Sequence, residues 1–238
     1  MLEIKNLSYI TDDGAEILRN VSLTVDERFT AITGPNGGGK STLAKLIAGL
    51  YDPTEGQILL DGVDITHMSI TDRARLGVSF AFQQPVRLKG LKVKDMLRLA
   101  YGKDKKRIDY CSFLSEVGLC ANDYINREID ASLSGGELKR IEIAMALARG
   151  TKLTIFDEPE AGIDLWSFQN LIRIFEKMRA EIRDSAIVII SHQERILQIA
   201  DEILVLADGR ISEKGTPAEI LPRLIGQSAP VSACQKLQ

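Results

Sequence analysis

The spacing of apolar and polar residues changes several times along the chain, and each change marks a predicted element. In residues 2–10 and 17–26, apolar and polar positions alternate, which is the pattern of strands that bury one face. Asp12, Asp13 and Gly14 lie between the two segments and favour a turn. The chain is therefore expected to open with a β-rich layer.

Further short segments predict strands, and Ala186–Ile190 is apolar throughout, as in strands that are buried in a sheet. These segments are residues 29–33, 57–60, 76–82, 152–156, 186–190 and 203–206. Elsewhere apolar residues recur every three or four positions, which predicts helices. The helical segments are residues 43–50, 138–148, 168–182 and 217–221. Strands and helices that alternate in this way favour an α/β fold.

Residues 86–135 carry helical spacing, and we expect them to form an inserted helical subdomain. The core is expected to comprise residues 1–85, with the β-rich layer, and residues 136–225. Residues 226–238 are polar and small, as in a loosely held tail. Together these parts are expected to form a single domain over residues 1–238.

Composition narrows the class of protein. The chain has 238 residues, of which 45% are hydrophobic, so it can bury a sizeable core. A net charge of −3 gives no electrostatic case for a nucleic-acid partner. No apolar run approaches the roughly 20 residues that span a bilayer, so no transmembrane segment is expected. The N-terminus lacks the basic and apolar regions of a signal peptide, which favours a cytoplasmic location.

The main chemical signal is Gly34-Pro35-Asn36-Gly37-Gly38-Gly39-Lys40-Ser41-Thr42, which fits the phosphate-binding pattern Gly-x4-Gly-Lys-Ser/Thr. A predicted strand leads into this loop and a predicted helix follows it. Glycines let backbone N–H groups point at phosphate oxygens, Lys40 reaches the β- and γ-phosphates, and Ser41 ligates Mg²⁺. The predicted ligand is a nucleoside triphosphate. Its binding residues in the loop are Gly34, Asn36, Gly37, Gly39, Lys40, Ser41 and Thr42, of which Lys40 also counts as catalytic.

Two acidic residues, Asp157 and Glu158, directly follow the predicted strand 152–156. In phosphate-loop ATPases the acid at this strand end holds Mg²⁺, usually through water, and a neighbouring carboxylate can orient or deprotonate the attacking water. We therefore expect Asp157 to be a metal ligand and Glu158 to be catalytic. The alternative for an isolated acid pair is a solvated loop.

His192 follows the next predicted strand, 186–190. The carboxyl ends of parallel strands meet at one edge of a sheet, where ligands bind. His192 is therefore expected near Asp157 and Glu158 and is a catalytic candidate. A lone histidine is more often structural, and His67, in a polar loop, has no comparable context.

A second helix start has the features of an anion site. Ser134 and Glu137 form a capping-box pattern, and capping alone would explain both residues. It would not explain Gly135 and Gly136, which weaken a helix start but let an anion approach exposed N–H groups closely. The sequence therefore predicts a second phosphate-binding helix terminus at Ser134, Gly135 and Gly136.

Three more side chains are candidates with open alternatives. Gln83 lies at the end of a predicted strand, where an amide could sense a nucleotide and its metal. Tyr9 could stack on adenine or simply pack on a sheet edge. Asp164 could be a functional residue or simply the cap of the helix that follows it.

Taken in chain order, these motifs resemble the nucleotide-binding subunit of the ABC ATPase superfamily over nearly the whole sequence. The resemblance implies a phosphate-loop, RecA-like core with an antiparallel β subdomain and an inserted helical subdomain, and ATP and Mg²⁺ as cofactors. It also implies an ATP-dependent homodimer. In that dimer, ATP lies between one phosphate loop and Ser134, Gly135 and Gly136 of the second subunit.

The resemblance assigns roles to five side chains. Glu158 polarises the attacking water, His192 contacts the γ-phosphate, and Gln83 senses Mg²⁺ and water. Asp164 communicates across the dimer, and Tyr9 occupies the position of the aromatic residue that stacks on adenine. Ser41, Gln83 and Asp157 are the implied metal-site residues.

Three segments are most similar to the SufC branch, the ATPases of the SUF iron–sulfur cluster assembly machinery. They are Phe80–Val86, Leu133–Arg140 and Ser191–Leu197. This similarity implies a SufB-like scaffold protein as the partner, which docks in the region after Gln83. Asp157–Asp164 is intermediate between the SufC form and the transporter form. The alternative is therefore the motor subunit of a membrane transporter, with a membrane subunit as its partner.

Overall fold

The computed structural model describes residues 1–26, 28–84, 86–102, 108–181 and 185–227. The strands are β1 (Leu2–Ile10), β2 (Glu16–Val25), β3 (Phe29–Thr33), β4 (Glu55–Leu60), β5 (Val63–Asp64), β6 (Val78–Ala81), β7 (Leu88–Lys92), β8 (Glu128–Ile129), β9 (Leu153–Asp157), β10 (Ala186–Ile190), β11 (Glu202–Ala207) and β12 (Arg210–Gly215). The helices are α1 (Lys40–Ala48), α2 (Ile70–Leu76), α3 (Val93–Tyr101), α4 (Tyr110–Glu116), α5 (Ala121–Tyr124), α6 (Gly135–Arg149), α7 (Leu165–Glu181), α8 (Glu194–Gln198) and α9 (Pro217–Gln227). The mixed α/β fold class is confirmed. The predicted tail lies outside the described residues from 228 onward.

The β-rich opening forms an antiparallel sheet with the strand order β2-β1-β4-β5. In β1, Leu2, Ile4 and Leu7 are buried, whereas most positions between them are partly or fully exposed. Leu2 pairs with Val25 of β2 on one side and with Leu60 of β4 on the other. The alternation in the sequence therefore reflects one apolar face, which packs against α1.

A six-stranded sheet with the order β12-β11-β3-β10-β9-β6 forms the core of the protein. Its strands run parallel except for β12, which pairs antiparallel with β11 at one edge. β3 and β9 are buried along their whole length, as expected for strands covered on both faces. Ile190 of β10 lies opposite Asp157 of β9 and Ile32 of β3. The carboxyl ends of these three strands therefore lie side by side.

Helices cover the face of this sheet that is turned away from the first sheet. Phe175 of α7 packs edge-on against Phe29 of β3 and Phe156 of β9, with ring centroids 6.0 and 5.2 Å apart. Leu97 of α3 and Ile141 of α6 belong to the same apolar cluster. In the part of the chain that the structure describes, none of the helices has both the length and the apolar character to cross a membrane.

The region from residue 86 to residue 135 differs in part from the all-helical expectation. It contains α3, α4 and α5, but also β7 and β8, which pair antiparallel as a separate two-stranded sheet. These strands are too short and too polar to show a period of two in the sequence. The predicted strand 76–82 is also shorter, because Leu76 ends α2 and Gly77 turns the chain with a φ of 103°. The division into a core and an inserted subdomain stays a prediction.

Arg73 of α2 is fully buried and connects α2 to the end of α1. Its guanidinium donates hydrogen bonds to the carbonyl oxygens of Ile47 (2.8 Å), Thr66 (2.7 Å), Met68 (3.1 Å) and Leu46. The last carbonyls of a helix have no partner within the helix. Arg73 supplies one to the C-terminal turn of α1, and so helps to hold the helix that begins at the phosphate loop.

Candidate functional site

The phosphate loop connects the end of β3 to Lys40, the first residue of α1. Gly34, Gly37 and Gly39 have φ angles of 135°, 79° and 97°, which residues with side chains rarely adopt. A Cβ atom on Gly34 would lie 2.0 Å from the carbonyl oxygen of Leu206 in β11. Glycine at position 34 therefore lets the loop pass directly against the neighbouring strand.

Lys40 is buried inside the curve of the loop. Its Nζ donates hydrogen bonds to the carbonyl oxygens of Gly34 (2.9 Å) and Pro35 (2.8 Å). Burial lowers the pKa of this ammonium group, and the carboxylates of Glu158 and Asp157 partly oppose the shift. The cation lies where it can neutralise the charge of bound phosphates.

Ser41 Oγ donates a hydrogen bond to Asp157 Oδ1 at 3.0 Å, which joins α1 to the end of β9. Burial raises the pKa of the Asp157 carboxyl, and the Ser41 hydroxyl opposes that shift. A hydroxyl and a carboxylate oxygen side by side are the hard ligands that Mg²⁺ prefers. A divalent cation would offset the cost of the buried carboxylate charge, so Ser41 and Asp157 fit a magnesium site.

Glu158 lies between two polar side chains from neighbouring strand ends. Gln83, which follows β6, donates a hydrogen bond from Nε2 to Glu158 Oε2 at 2.6 Å. His192, which follows β10, places Nε2 3.6 Å from Glu158 Oε1. The φ of Glu158 is 45°, and its N–H donates to the Ile190 carbonyl oxygen at 3.0 Å. The structure thus brings Gln83, Glu158 and His192 together at one edge of the sheet.

The protonation state of His192 follows from its surroundings. Burial lowers the pKa of the imidazole, the ammonium of Lys40 lowers it further, and the carboxylate of Glu158 opposes both effects. Since an unperturbed histidine titrates near pH 6.5, His192 is mostly neutral at pH 7. A neutral imidazole can donate one hydrogen bond and accept another.

A pocket of about 260 Å³ lies between the loop and Glu158. It is lined by Ile17, Asn36, Gly37, Gly39, Lys40, Ser41, Thr42 and Glu158. Sequence reasoning named all of these as site residues except Ile17 of β2. Nothing in the sequence distinguishes Ile17 from the other apolar residues of its strand.

Among the described residues, Ser134, Gly135 and Gly136 do not line this pocket. Ser134 caps α6, because its Oγ accepts the Glu137 N–H at 3.2 Å and its own N–H donates to Glu137 Oε2 at 2.7 Å. Burial opposes ionisation of Glu137, but hydrogen bonds from Tyr124 and Ser134 outweigh it and lower the pKa of Glu137 to about 2. The capping box is thus reinforced by Tyr124 of α5, which donates a hydrogen bond to Glu137.

The glycines of this helix start have a packing role that the sequence did not reveal. A Cβ on Gly136 would lie 2.4 Å from Ser167 Oγ of α7, and one on Gly135 would lie 3.2 Å from the Gly162 carbonyl oxygen. Asp164 Oδ1 accepts the Ser167 N–H at 3.0 Å, so Asp164 caps the first turn of α7. Its role across a dimer stays a prediction.

Tyr9 stacks on Tyr51, with ring centroids 5.4 Å apart and an angle of 3° between the ring planes. Tyr51 follows α1, and Lys45 Nζ lies 5.3 Å from its ring centroid. Sequence reasoning did not single out Tyr51, because the pairing depends on the contact between two distant segments. One face of Tyr9 is covered by this neighbour, and its stacking on adenine stays a prediction.

Two charged side chains of α6 hold the backbone beside Gln83, and sequence reasoning missed both. Lys139 is buried, and its Nζ donates to the Phe82 carbonyl oxygen and to Glu142 Oε2, the latter at 3.1 Å. Burial raises the pKa of Glu142, whereas Lys139 and the backbone N–H of Phe82 act to lower it. Such pairs, three residues apart on a helix, are usually exposed, so the spacing gave no signal of burial.

The geometry of the site is characteristic of one class of protein. A glycine loop between a strand and a helix, with an acid pair at a neighbouring strand end, is the arrangement of phosphate-loop nucleoside triphosphatases. Residues 18–161 match the ABC transporter family.

Relatives of similar length support this match. The uncharacterized ABC transporter ATP-binding protein MJ0035 of Methanocaldococcus jannaschii is 39% identical over 229 residues, which cover 92% of this chain and 90% of that protein. The probable ATP-dependent transporter ycf16 of Cyanophora paradoxa is 36% identical over 233 residues, with coverages of 90% and 88%.

Solved structures show the same fold. The ADP conformation of MJ1267, an ATP-binding cassette of an ABC transporter, has a TM-score of 0.80 at 26% identity and covers 96% of this chain and 95% of its own. A bacterial Atm1-family ABC exporter with ATP bound has a TM-score of 0.80 at 28% identity, covering 96% of this chain and 42% of the exporter chain.

The chain therefore belongs to the ABC transporter family, as one of its ATP-binding cassettes. It is an ATPase, and ATP and Mg²⁺ are its cofactors.

Proposed function

We propose that this ATPase dimerises head to tail around ATP and uses the closure, and its release on hydrolysis, to change the conformation of a SufB-like scaffold during iron–sulfur cluster assembly. The proposal that the site hydrolyses ATP by this mechanism rests on one observation. Glu158 is held between Gln83 and His192, directly beside Lys40 and the pocket of the phosphate loop.

This arrangement supports a separate role for each side chain at the reacting phosphate. Glu158 orients and deprotonates the attacking water. His192, neutral at pH 7, donates a hydrogen bond to the γ-phosphate, and Lys40 neutralises its charge. Ser41 and Asp157, with Gln83 nearby, would hold Mg²⁺, which when bound stabilises the charge that develops on the phosphate oxygens.

The arrangement of Ser134, Gly135 and Gly136 supports a site completed by a second subunit. Their helix terminus carries N–H groups suited to an anion. Yet Gly135 and Gly136 face Gly162 and Ser167, and none of the three residues lines the pocket of its own chain. In a head-to-tail dimer the same terminus would reach the γ-phosphate bound to the other subunit. Tyr9 would stack on the adenine, and Asp164 would lie near the dimer contact.

A partner surface is supported by exposed apolar side chains in the segment next to Gln83 and on α3. Phe82, Val86 and Leu99 are 40%, 57% and 58% exposed. A pocket of about 160 Å³ lies beside Phe82 and is lined in part by Ile70 and Ala74 of α2. Exposed large apolar side chains that form a contiguous patch are typical of interaction sites, and the proposal takes these residues as parts of one such site. In this proposal, residues 84–100 form the docking region and residues 86–135 are the subdomain that moves with the partner.

The choice of an iron–sulfur scaffold is supported by the SufC-like segments Phe80–Val86, Leu133–Arg140 and Ser191–Leu197. In the described residues no group of three or more His, Cys, Asp or Glu side chains is arranged to hold a metal ion. In this proposal iron and sulfur are bound by the scaffold.

The second candidate is the motor subunit of a membrane transporter. It is favoured by the family match and by the transporter names of relatives that span about nine-tenths of this chain. In that case the surface around Gln83 would dock on a membrane subunit.

One experiment separates the two candidates: purification of the native complex under mild conditions, followed by identification of the bound protein. A scaffold that binds iron–sulfur clusters and raises the ATPase rate supports the proposal. A polytopic membrane protein as the stoichiometric partner overturns it in favour of the second candidate. Replacing Phe82 or Leu99 by Glu tests whether this surface makes the contact, with Glu176→Lys on the exposed face of α7 as the control.

A further inference from the structure

The segments that follow β9 and β10 are joined by a side-chain bond that the proposed chemistry does not use. Ser191 Oγ donates a hydrogen bond to Glu160 Oε1. The same hydroxyl accepts the Gln193 N–H at 3.0 Å, and the Ser191 N–H donates to the Ile32 carbonyl oxygen at 3.1 Å. Ser191 thus connects the segment after β9 to β3 and to the start of α8.

This bond lies just beyond the last backbone pairing of the two strands. Ile190 is opposite Asp157, and the Glu158 N–H to Ile190 carbonyl bond, at 3.0 Å, is one step further along. From there the Glu160–Ser191 bond continues the connection between the two segments. Glu158 and His192, the two catalytic candidates, therefore lie close in sequence to Glu160 and Ser191. These last two residues are hydrogen-bonded to each other.

His192 is placed by its two neighbours in sequence. Ser191 and Gln193 are bonded to each other through the Ser191 hydroxyl, and Ser191 is bonded to Glu160. His192 Nε2 lies 3.6 Å from Glu158 Oε1. That separation depends on where the Ser191–Gln193 turn is held relative to the segment after β9.

Packing alone does not account for Glu160, because burial of its carboxylate lowers the stability of the fold. Its Oε2 is buried and has no hydrogen-bond partner among the described residues. Burial raises the pKa of this carboxyl, while the Ser191 hydroxyl and the backbone N–H groups of Glu160 and His192 favour its charged form. A buried polar atom without a partner costs stability. A local loss of stability of this kind is typical of functional sites.

We propose that Glu160 is a positioning residue for ATP hydrolysis, acting through Ser191 to hold His192 at its separation from Glu158. This inference rests on the proposed roles of His192 and Glu158. Since Glu160 and Ser191 are not among the described residues that line the phosphate-loop pocket, loss of their bond should leave ATP binding intact. It should slow hydrolysis, because a displacement of about 1 Å can cost about 100-fold in rate.

The test compares Glu160→Ala, Ser191→Ala, the double variant and Glu160→Gln in steady-state ATPase and ATP-binding assays. Each alanine variant should lower kcat by about tenfold or more and change the ATP affinity by less than about twofold. The double variant should be no slower than the slower single variant, because both remove the same bond. Glu160→Gln keeps an acceptor for Ser191 Oγ and should restore kcat to within about threefold of wild type. Glu176→Ala removes an exposed carboxylate of α7 and serves as the matched control.

Wild-type kcat in the alanine variants overturns the inference, as do additive effects or a Glu160→Gln enzyme as slow as Glu160→Ala. If Glu160→Ala does not fold, Ser191→Ala, which removes a single oxygen, decides the matter. A fully active Ser191→Ala beside an inactive Glu158→Gln rejects this inference and leaves the proposed function standing. A fully active Glu158→Gln rejects both.

Discussion

Gln83 Nε2 donates a hydrogen bond to Glu158 Oε2 at 2.6 Å, between residues that follow two neighbouring parallel strands. A neutral amide fixes the orientation of the carboxylate without neutralising its charge. The other carboxylate oxygen faces His192. Glu158 is thereby held in place, with one oxygen turned toward the histidine.

Replacing Glu158 by Gln should abolish most of the turnover. The amide keeps the shape of the side chain but cannot accept the proton of the attacking water, so kcat should fall by about 100-fold or more while ATP still binds. Phosphate release measures the rate, and light scattering with ATP should show an accumulated dimer. A kcat within about threefold of wild type would refute the role assigned to Glu158.

The pKa of His192 should lie below the ordinary histidine value of about 6.5, because burial and the Lys40 ammonium both disfavour its cation. Proton NMR can follow this titration, since the chain has two histidines and His67→Gln assigns the signals. Lys40→Met should raise the pKa of His192, and Glu158→Gln should lower it. An unchanged value in both variants would contradict the electrostatic account.

The lowered pKa of His192 also predicts how the free energy of unfolding depends on pH. Since the folded pKa lies below the unfolded one, the unfolded chain binds the proton more readily between the two values. This group therefore lowers the free energy of unfolding as the pH falls below about 6.5. Urea unfolding of wild type and His192→Gln at several pH values measures this contribution, and the difference between them should grow on the acid side.

Gly136→Ala should destabilise the fold, because its Cβ would lie 2.4 Å from Ser167 Oγ. Overpacking of this kind typically costs about 1–3 kcal/mol in the free energy of unfolding. Ser167→Gly removes the atoms that clash, so the double variant should be more stable than Gly136→Ala alone. Urea unfolding of the four proteins completes the cycle. If Ser167→Gly gives no recovery, the close contact is not the cause.

Arg73→Met should cost about 2–4 kcal/mol in the free energy of unfolding, because it removes the hydrogen bonds that Arg73 donates to the buried carbonyl oxygens of Ile47 and Thr66. Arg75, two residues further along α2, is the matched control, since 76% of its side chain is exposed and it pairs with Asp72 at the surface. Arg75→Met should change the free energy by less than about 0.5 kcal/mol. Equal losses in the two variants would contradict the bridging role of Arg73.

The sequence predicts those parts of the fold that depend on short-range spacing. The apolar run Ala186–Ile190 indicates a buried strand, and the loop at Gly34 indicates a phosphate site. The roles of Arg73 and Glu160 could not be predicted, because both depend on contacts between segments far apart in the chain. Arg73 lies between Asp72 and Arg75, a charged surrounding that is typical of an exposed helix face.

The buried pair Lys139 and Glu142 has a mechanical consequence. Both backbone groups of Phe82 face side chains of α6, the helix that begins with the predicted γ-phosphate contacts, and Gln83 is the next residue. Any rotation of α6 that keeps these bonds must also move the amide that orients Glu158. If α6 turns to bring its terminus to a nucleotide, as in the proposed dimer, the same movement would carry Gln83 and change the orientation of Glu158.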